Sequence, residues 1–293
     1  MTCLIPSLSA HRASTTLRRT HRGITTLILW VGIISMLPAL KAATPASSRS
    51  AAPLNAAAVN QALALGVNIG NTFDLNQHPT DFAKIKPLID LYADAGLKHI
   101  RIPITWTEGF DGDALADPLG TINFDHPRFR QLQALIDYAL QQGLYVVINA
   151  HHEREFKRLY NGSRVYEAFF AHLWTQIATH FAAYPQQLIF ELLNEPEGAF
   201  GDSHDGTDYR DPVAIAFTRR IAEIGHEVIR QTGGLNQTRI IMIPTNRQGN
   251  QSTLTTVYPN KNALPGQGHD PYLIIQVHTY DPWSFCGQDG TNA

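Results

Sequence analysis

The sequence predicts an α/β fold, a (β/α)8 or TIM barrel that is incomplete here, with about six of its eight βα units in the chain. Apolar β runs alternate with helical patterns, and the β runs consist almost continuously of Val, Ile and Leu. Such strands are buried on both faces, as in a parallel sheet. Polar or aromatic residues follow many strands, which favours a barrel over a doubly wound sheet with one switch point.

Six β runs and four helical patterns define the predicted elements. The β runs begin near Leu63, His99, Tyr145, Leu188, Arg239 and Tyr272. The helical patterns cover residues 81–95, 127–142, 165–184 and 213–232. Pro127 and Pro212 lie near helix N-termini, and Gly96, Gly143 and Gly233 lie just past helix C-termini, as is usual for these residue types.

Charge and glycine pattern exclude two classes of partner. A net charge of -2 and a pI near 6.7 give no basic field for polyphosphate, so nucleic acid is not an expected partner. The segment 66–71 resembles a dinucleotide fingerprint but lacks its third glycine and does not open a helix. A neutral or weakly charged substrate fits better, and no cofactor is expected.

The first residues are typical of an export signal. Arginines precede the apolar run 24–40, and Ala42 and Ala43 follow it. We therefore predict a signal peptide at 1–42, a linker at 43–58 and a partial barrel at 59–293, secreted with no membrane attachment after cleavage. The alternative is a retained anchor, because the run reaches the lower length limit of about 17 residues for a membrane span. Arg18-Arg19 leaves twin-arginine export as a minor alternative.

The most informative segment is the fourth β run, which ends in Asn194-Glu195-Pro196. Pro196 has no N–H and favours an extended conformation at Glu195, so we expect the carboxylate at the point where the chain leaves the sheet. The carboxyl ends of parallel strands are where active sites form. An ordinary turn residue is the alternative for such a short motif.

Five motifs occur in order at predicted strand ends. They are Gly66-Val67-Asn68-Ile69-Gly70-Asn71, Arg101 within His-Ile-Arg-Ile-Pro, His151-His152, Asn194-Glu195-Pro196 and His278-Thr279-Tyr280. In this order they resemble glycoside hydrolase family five, the cellulase-type retaining glycosidases, over about residues 60 to 285. The resemblance implies a TIM barrel, a β-glucan substrate and a monomer.

The resemblance also implies roles for particular residues. Glu195 becomes the proton donor, and we expect burial and a second carboxylate to raise its pKa. The implied substrate-binding residues are Asn71, Arg101, His151, His152, Asn194, His278, Tyr280 and Trp283. Asn194 is suited to the sugar 2-OH, a contact that strengthens in the transition state.

Two of these assignments have alternatives. The resemblance pairs Arg101 with the nucleophile, but Glu191 has the same strand parity as Glu195 and can neutralise the arginine instead. His151 and His152 are also possible metal ligands or structural histidines. Because neighbours on an extended chain point to opposite sides, we expect no metal site there.

Aromatic side chains at the strand ends are candidate platforms for sugar rings. Trp106, Phe110, Phe200 and Trp283 occupy such positions, with loop packing as the alternative. Trp174 lies within a helical pattern and is expected in the core.

The resemblance places a glutamate nucleophile after strand seven, whereas this sequence reaches Ala293 after strand six. Glu197 leaves the same strand end as Glu195, so it cannot attack from the opposite side at the separation of about 5 to 5.5 Å that retention requires. We therefore expect an endo-β-1,4-glucanase lineage that is inactive as this chain and has no nucleophile in it. The alternatives are a non-catalytic carbohydrate-binding or vestigial product and a metal-dependent hydrolase on the same barrel.

Overall fold

The computed structural model describes residues 52–109, 113–201 and 207–286, without the side chains of Trp283 and Phe285. The predicted signal peptide at 1–42 lies outside these residues. Six parallel strands form one sheet in chain order. They are β1 (Gly66–Asn68), β2 (His99–Ile102), β3 (Tyr145–Asn149), β4 (Leu188–Glu191), β5 (Ile241–Pro244) and β6 (Leu273–Gln276). The predicted parallel α/β sheet and its six strands are confirmed.

Helices connect these strands in the alternating order that the sequence predicts. They are α1 (Ala56–Leu63), α2 (Phe82–Asp94), α3 (Pro127–Gln141), α4 (Arg154–Leu159), α5 (Arg164–His180), α6 (Pro212–Gln231), α7 (Leu254–Val257) and α8 (Trp283–Cys286). Short 3-10 helices lie at Gly198–Phe200, Gly234–Gln237, Gln251–Thr253, Lys261–Ala263 and Pro265–Gly268. Among the described residues, no helix combines the length and apolar composition needed to cross a bilayer.

Two apolar cores lie on opposite faces of the sheet. Outward residues such as Ile100, Ile148 and Phe190 pack against the helices and form the larger core. The smaller core lies on the inner face and contains Val59, Leu63, Val147, Ile189, Ile240 and Met242. Strands β3 to β5 are buried almost throughout, whereas β1 and β6, the two edges of the described sheet, are partly exposed.

Helix α1 corrects two predicted boundaries at once. It covers the end of the range assigned to a linker and reaches Leu63, where the first strand was predicted to start. The Asn55 side chain caps it by accepting from the Ala58 N–H, and Val59 and Leu63 bury one face. The helix contributes to the inner core, so the ordered domain starts before residue 59, and β1 begins only at Gly66.

Beyond the regular strands, parallel pairing continues through single bridges, Phe73 with Ile104 and Asn250 with His278. The segments after β1 and β2 are therefore paired, and so are the segments after β5 and β6. Bonds from His151 N to Ile104 O and from Asn194 N to Ala150 O join the segments after β3 and β4 to that after β2 at the carboxyl edge. The predicted site residues other than Trp283 lie within or just after β1 to β4 and β6; the Trp283 side chain lies outside the described part.

Candidate active site

Glu195 lies just beyond β4 at the carboxyl edge of the sheet. Its backbone is left-handed, with a φ of 44°, so the extended conformation predicted from Pro196 is wrong. The turn is held on both sides, because Asn194 N donates to Ala150 O at 2.9 Å and Gln248 N donates to Pro196 O at 2.9 Å. Non-glycine residues rarely adopt this conformation, and it costs about 1–3 kcal/mol, which is common at functional sites.

Two side chains from the segment after β6 donate hydrogen bonds to one oxygen of Glu195. His278 Nδ1 lies 2.7 Å from Oε1, and Tyr280 Oη lies 3.0 Å from the same atom. Burial raises the pKa of Glu195, but the bonds from His278 and Tyr280 lower it more, and the net pKa lies below the ordinary value. The raised pKa expected from the sequence is therefore wrong for this state of the chain.

Arg101 and Glu191 form a buried ion pair at the base of the site. Arg101 Nε and Nη2 each lie 2.6 Å from one oxygen of Glu191, which is 0% exposed. Burial raises the pKa of Glu191, but the arginine outweighs it and keeps the carboxylate ionised. Of the two partners considered for Arg101, the structure shows Glu191.

Asn194 and Asn149 connect this pair to the rest of the site. Asn194 Oδ1 accepts from Arg101 Nη2 at 2.8 Å, and this leaves the side-chain nitrogen of Asn194 as the end that can donate to a ligand. Asn149 Nδ2 donates to Glu191 Oε1 at 3.0 Å. The charged pair thus fixes both amide groups.

His151, His152 and Asp74 form a cluster, contrary to the prediction that adjacent histidines diverge. Nε2 of each histidine lies 3.9 Å from Asp74 Oδ2, and the two rings are 4.7 Å apart. Strand β3 ends at Asn149, so the pair is not on extended strand and the alternation rule does not apply. Within the described ranges, these three residues are the group whose ligand atoms converge as at a metal site.

The protonation of His151 opposes a metal at this cluster. Asn149 Oδ1 accepts from Ile104 N at 3.0 Å, so its Nδ2 end faces His151 Nδ1 at 3.0 Å. Nδ1 therefore accepts, and the proton of the neutral ring is on Nε2, the atom that faces Asp74. Burial lowers the pKa of His151, which keeps the ring neutral. A protonated nitrogen cannot ligate a metal.

The spacing of the cluster also fits a hydroxyl group better than a metal ion. Tetrahedral zinc with bonds of about 2.0–2.1 Å brings its ligand atoms to about 3.3 Å from one another. Groups that share one oxygen through hydrogen bonds of about 2.8 Å lie about 4–4.6 Å apart. The observed separations of 3.9 Å lie closer to the second value than to the first.

A cavity of about 520 Å³ joins these groups. Arg101, His151, Asn194, Glu195, His278 and Tyr280 all line it, so six predicted site residues meet in one place. His152 lies beside it through Asp74, which also lines the cavity. Asn71 is not among the lining residues. It is exposed in a left-handed turn, and its carbonyl accepts from Gln77 N and His78 N.

The two predicted aromatic platforms whose side chains the structure describes do not line the cavity. Trp106 and Phe200 are 0% exposed; Trp106 donates to Asn149 O, and Phe200 stacks on Tyr160. Both side chains are part of the larger hydrophobic core. Phe110 and the Trp283 side chain lie outside the described part. Trp174 is buried, as predicted.

Three residues that the sequence reasoning missed belong to this region. Asp74 lies three positions after Asn71 in the segment that follows β1, and this position is the signal that could have identified it. Gln276 lies two positions before His278 and also lines the cavity. Lys157 is 2% exposed and lies 4.0 Å from Glu197, and burial lowers its pKa to about 8. No local pattern distinguishes Lys157 from a surface lysine of a helix.

Comparison with known proteins agrees with this geometry. Endoglucanase A of Clostridium longisporum is 31% identical over 266 residues, which are 85% of this chain and 48% of the relative. Endoglucanase B of Clostridium cellulovorans is 33% identical over 227 residues, 75% of this chain and 48% of the relative. The chain thus spans about half the length of these curated relatives.

Solved structures show the same fold. The broad-specificity endoglucanase from Clostridium longisporum superposes with a TM-score of 0.64 at 27% identity, covering 80% of this chain and 66% of that chain. ZgEngAGH5_4 in complex with a cellotriose gives a TM-score of 0.64 at 27% identity, with coverage of 79% and 67%. The sequence model of the cellulase family, glycosyl hydrolase family 5, matches residues 63–292. The chain therefore belongs to glycosyl hydrolase family 5, the cellulase family.

Proposed function

We propose that this protein is a retaining endo-β-1,4-glucanase lineage member whose general acid/base is Glu195 and whose substrate is cellulose or a related β-glucan. The observation that carries the proposal is the Glu195 carboxylate, which lines the cavity and accepts hydrogen bonds from His278 and Tyr280. Two relatives are named endoglucanases, and another similar protein, ZgEngAGH5_4, is solved with a cellotriose, which supports a glucan as the substrate class.

Glu195 performs two proton transfers in this proposal. In the first step the protonated carboxyl donates its proton to the glycosidic oxygen as the bond to the anomeric carbon breaks. In the second step the carboxylate takes a proton from the water that releases the sugar. His278 and Tyr280 hold Oε1 and thereby fix the direction of the carboxyl group, which leaves Oε2 as the oxygen that exchanges the proton.

The cluster of Asp74, His151 and His152 suits a sugar hydroxyl better than a metal ion, which favours a glycosidase over a metal-dependent hydrolase. A hydroxyl donates one hydrogen bond and accepts two. Asp74 Oδ2 is the acceptor that it needs, and His151 Nε2–H is one donor. His152 Nε2 is buried without a partner and can supply the other. We propose that these three groups bind one sugar hydroxyl.

The attacking carboxylate is proposed to come from outside the described residues. Besides Glu195, the acids that line the cavity are Asp74 and Glu191. Glu191 is fully buried and held by Arg101, and Asp74 accepts from Thr72 N at 3.0 Å beside the two histidines. Neither carboxylate is available to form a glycosyl-enzyme. We propose that the 293-residue chain alone does not turn over substrate. The same observation favours the second candidate function, a sugar-binding product without turnover.

Export of the protein completes the proposal. The N-terminal arginines, apolar run and following small residues support removal of residues 1–42 and secretion. N-terminal sequencing of the exported protein tests this directly. A mature N-terminus near Ala43 is the expected result, and an intact Met1 in the membrane fraction contradicts it.

The experiment compares the 293-residue chain with a version that carries a seventh and an eighth βα unit. We expect the longer protein to hydrolyse soluble β-glucan and proton NMR to show the β-anomer as the first product. The shorter chain is expected to bind cello-oligosaccharides without releasing reducing ends. A glycosyl adduct on the shorter chain after treatment with an activated fluoroglycoside, detected by mass spectrometry, contradicts the assignment of the nucleophile.

A further inference from the structure

The side chain of Gln276, at the end of β6, reaches the histidine that contacts Glu195. Its Nε2 contacts His278 Nε2, while His278 Nδ1 lies 2.7 Å from Glu195 Oε1. Both residues line the cavity. His278 is fixed by its backbone as well, because its N–H donates to Gly249 O at 2.7 Å. The imidazole is thus held between an amide and a carboxylate.

The hydrogen-bond types at the two ring nitrogens define where the proton lies. An ionised carboxylate only accepts, so Nδ1 of His278 carries a proton. An amide nitrogen only donates, so Nε2 of His278 accepts and carries none. A second ring proton would bring two N–H groups into contact. In this arrangement the imidazole is uncharged and donates to Glu195.

We propose that Gln276 is a positioning residue that keeps His278 uncharged, with its single proton on Nδ1, and thereby keeps Glu195 able to regain its proton. An imidazolium beside a carboxyl group favours the ionised form of that carboxyl more than a neutral imidazole does, because the opposite charge stabilises the carboxylate. A charged His278 would therefore hold Glu195 in its ionised form. The consequence for catalysis rests on the proposed role of Glu195, whereas the protonation of His278 does not.

The ionisable groups around His278 act in both directions on a positive charge at its ring. His151 on the neighbouring side of the cavity feels a repulsion from a charged His278, while Glu191 and Glu195 attract such a charge. Arg101 neutralises Glu191 through two hydrogen bonds. Glu195, which also accepts from Tyr280, then remains as the carboxylate in contact with the ring, and Gln276 opposes the second proton that this carboxylate favours.

The amide orientation makes the proposal testable. Gln276 Oε1 is buried without a hydrogen-bond partner. If the amide were reversed, Oε1 would face His278 Nε2 and require a proton there. Long-range proton–nitrogen NMR of protein labelled with ¹⁵N-histidine distinguishes the two cases at neutral pH. The chain has 13 histidines, so a His278→Gln variant assigns the resonances by difference.

We expect a protonated Nδ1 and an unprotonated Nε2 for His278 in the unaltered protein. Gln276→Glu supplies an acceptor instead of a donor, so both nitrogens should become protonated. Gln276→Met offers neither a donor nor an acceptor at similar length and is the control for loss of the amide. A protonated Nε2 in the unaltered protein, or the same spectrum in the unaltered protein and Gln276→Glu, overturns the proposal.

A kinetic measurement on the longer, active protein separates this proposal from the proposed function. Gln276→Glu should lower kcat/KM by about tenfold on a substrate with a poor leaving group, because less of Glu195 is protonated when His278 is charged. The loss should be small on a substrate with an activated leaving group. If the NMR result holds and the two substrates lose activity equally, the role of Glu195 as the acid is wrong and the placement of the proton stands.

Discussion

Arg101 binds Glu191 through two parallel hydrogen bonds of 2.6 Å, and the carboxylate of the pair has no exposed surface. The pair lies beside Asn149 and Asn194, which are oriented by it. The family-based expectation gave this arginine to the nucleophile. The structure shows it as the counter-ion of an internal carboxylate, with Asn194 as a further acceptor, and its contact with a nucleophile stays a prediction.

Breaking this pair should destabilise the protein strongly. Arg101→Met leaves a buried carboxylate without its counter-ion, a change that costs about 3–5 kcal/mol in the free energy of unfolding. Urea unfolding followed by circular dichroism measures it.

The double variant Arg101→Met with Glu191→Leu is the matched control. Because both charges are removed together, its free energy of unfolding should lie closer to that of the unaltered protein than the Arg101→Met value does. A double variant less stable than Arg101→Met would show that the two residues do not act as a pair.

Replacing Asp74 should weaken sugar binding. Asp74→Asn can still accept from Thr72 N but presents an amide nitrogen to the two histidines, so the shared hydroxyl loses its acceptor. A hydrogen bond to a charged group contributes about 1.5–3 kcal/mol, so the Kd for cellotetraose should rise by roughly tenfold or more.

Calorimetric titration of the folded protein gives this affinity. Asp94→Asn, at an exposed position on α2, is the control and should leave the Kd unchanged. Equal affinities for the Asp74→Asn variant and the unaltered protein would remove Asp74 from the binding site.

His152 should make stability fall as the pH is lowered. Burial lowers its pKa from 6.5 to about 4. Between these values the unfolded chain binds a proton that the folded protein does not, so acidification from pH 6.5 to 4 favours unfolding. His152→Gln should reduce this loss of stability, measured as the free energy of unfolding at several pH values.

His172→Gln, at an exposed position on α5, serves as the control for histidine removal. It should leave the pH dependence of the unaltered protein in place. If the free energy of unfolding of His152→Gln depends on pH as steeply as that of the unaltered protein, folding does not lower the pKa of His152.

The sequence was sufficient to predict the parts of the fold and site that depend on local pattern. Apolar runs predicted the six parallel strands, and β3 to β5 are those buried on both faces, where no polar alternation is expected. Glu195, His278 and Tyr280 could be placed together because each lies at a strand end. Their contacts at 2.7 and 3.0 Å agree with that placement.

Other features depend on tertiary contacts that no local pattern reveals. The left-handed backbone of Glu195 follows from anchors on both sides of the turn, one of them Gln248. Trp106 is fully buried. The local sequence just after a strand looks the same whether an aromatic ring there is buried or exposed. His151 and His152 converge since the strand ends before them.

The dependence of activity on the leaving group, measured for Glu195→Ala in the protein extended by its seventh and eighth βα units, tests the central claim most directly. General acid catalysis contributes about 10²–10⁴ in rate, so hydrolysis of an unactivated cello-oligosaccharide should fall by that factor. Cleavage of a dinitrophenyl cellobioside, whose leaving group needs little protonation, should proceed to its glycosyl-enzyme at nearly the unaltered rate. An equal loss on both substrates, or no loss on either, would contradict the assignment of Glu195 as the proton donor.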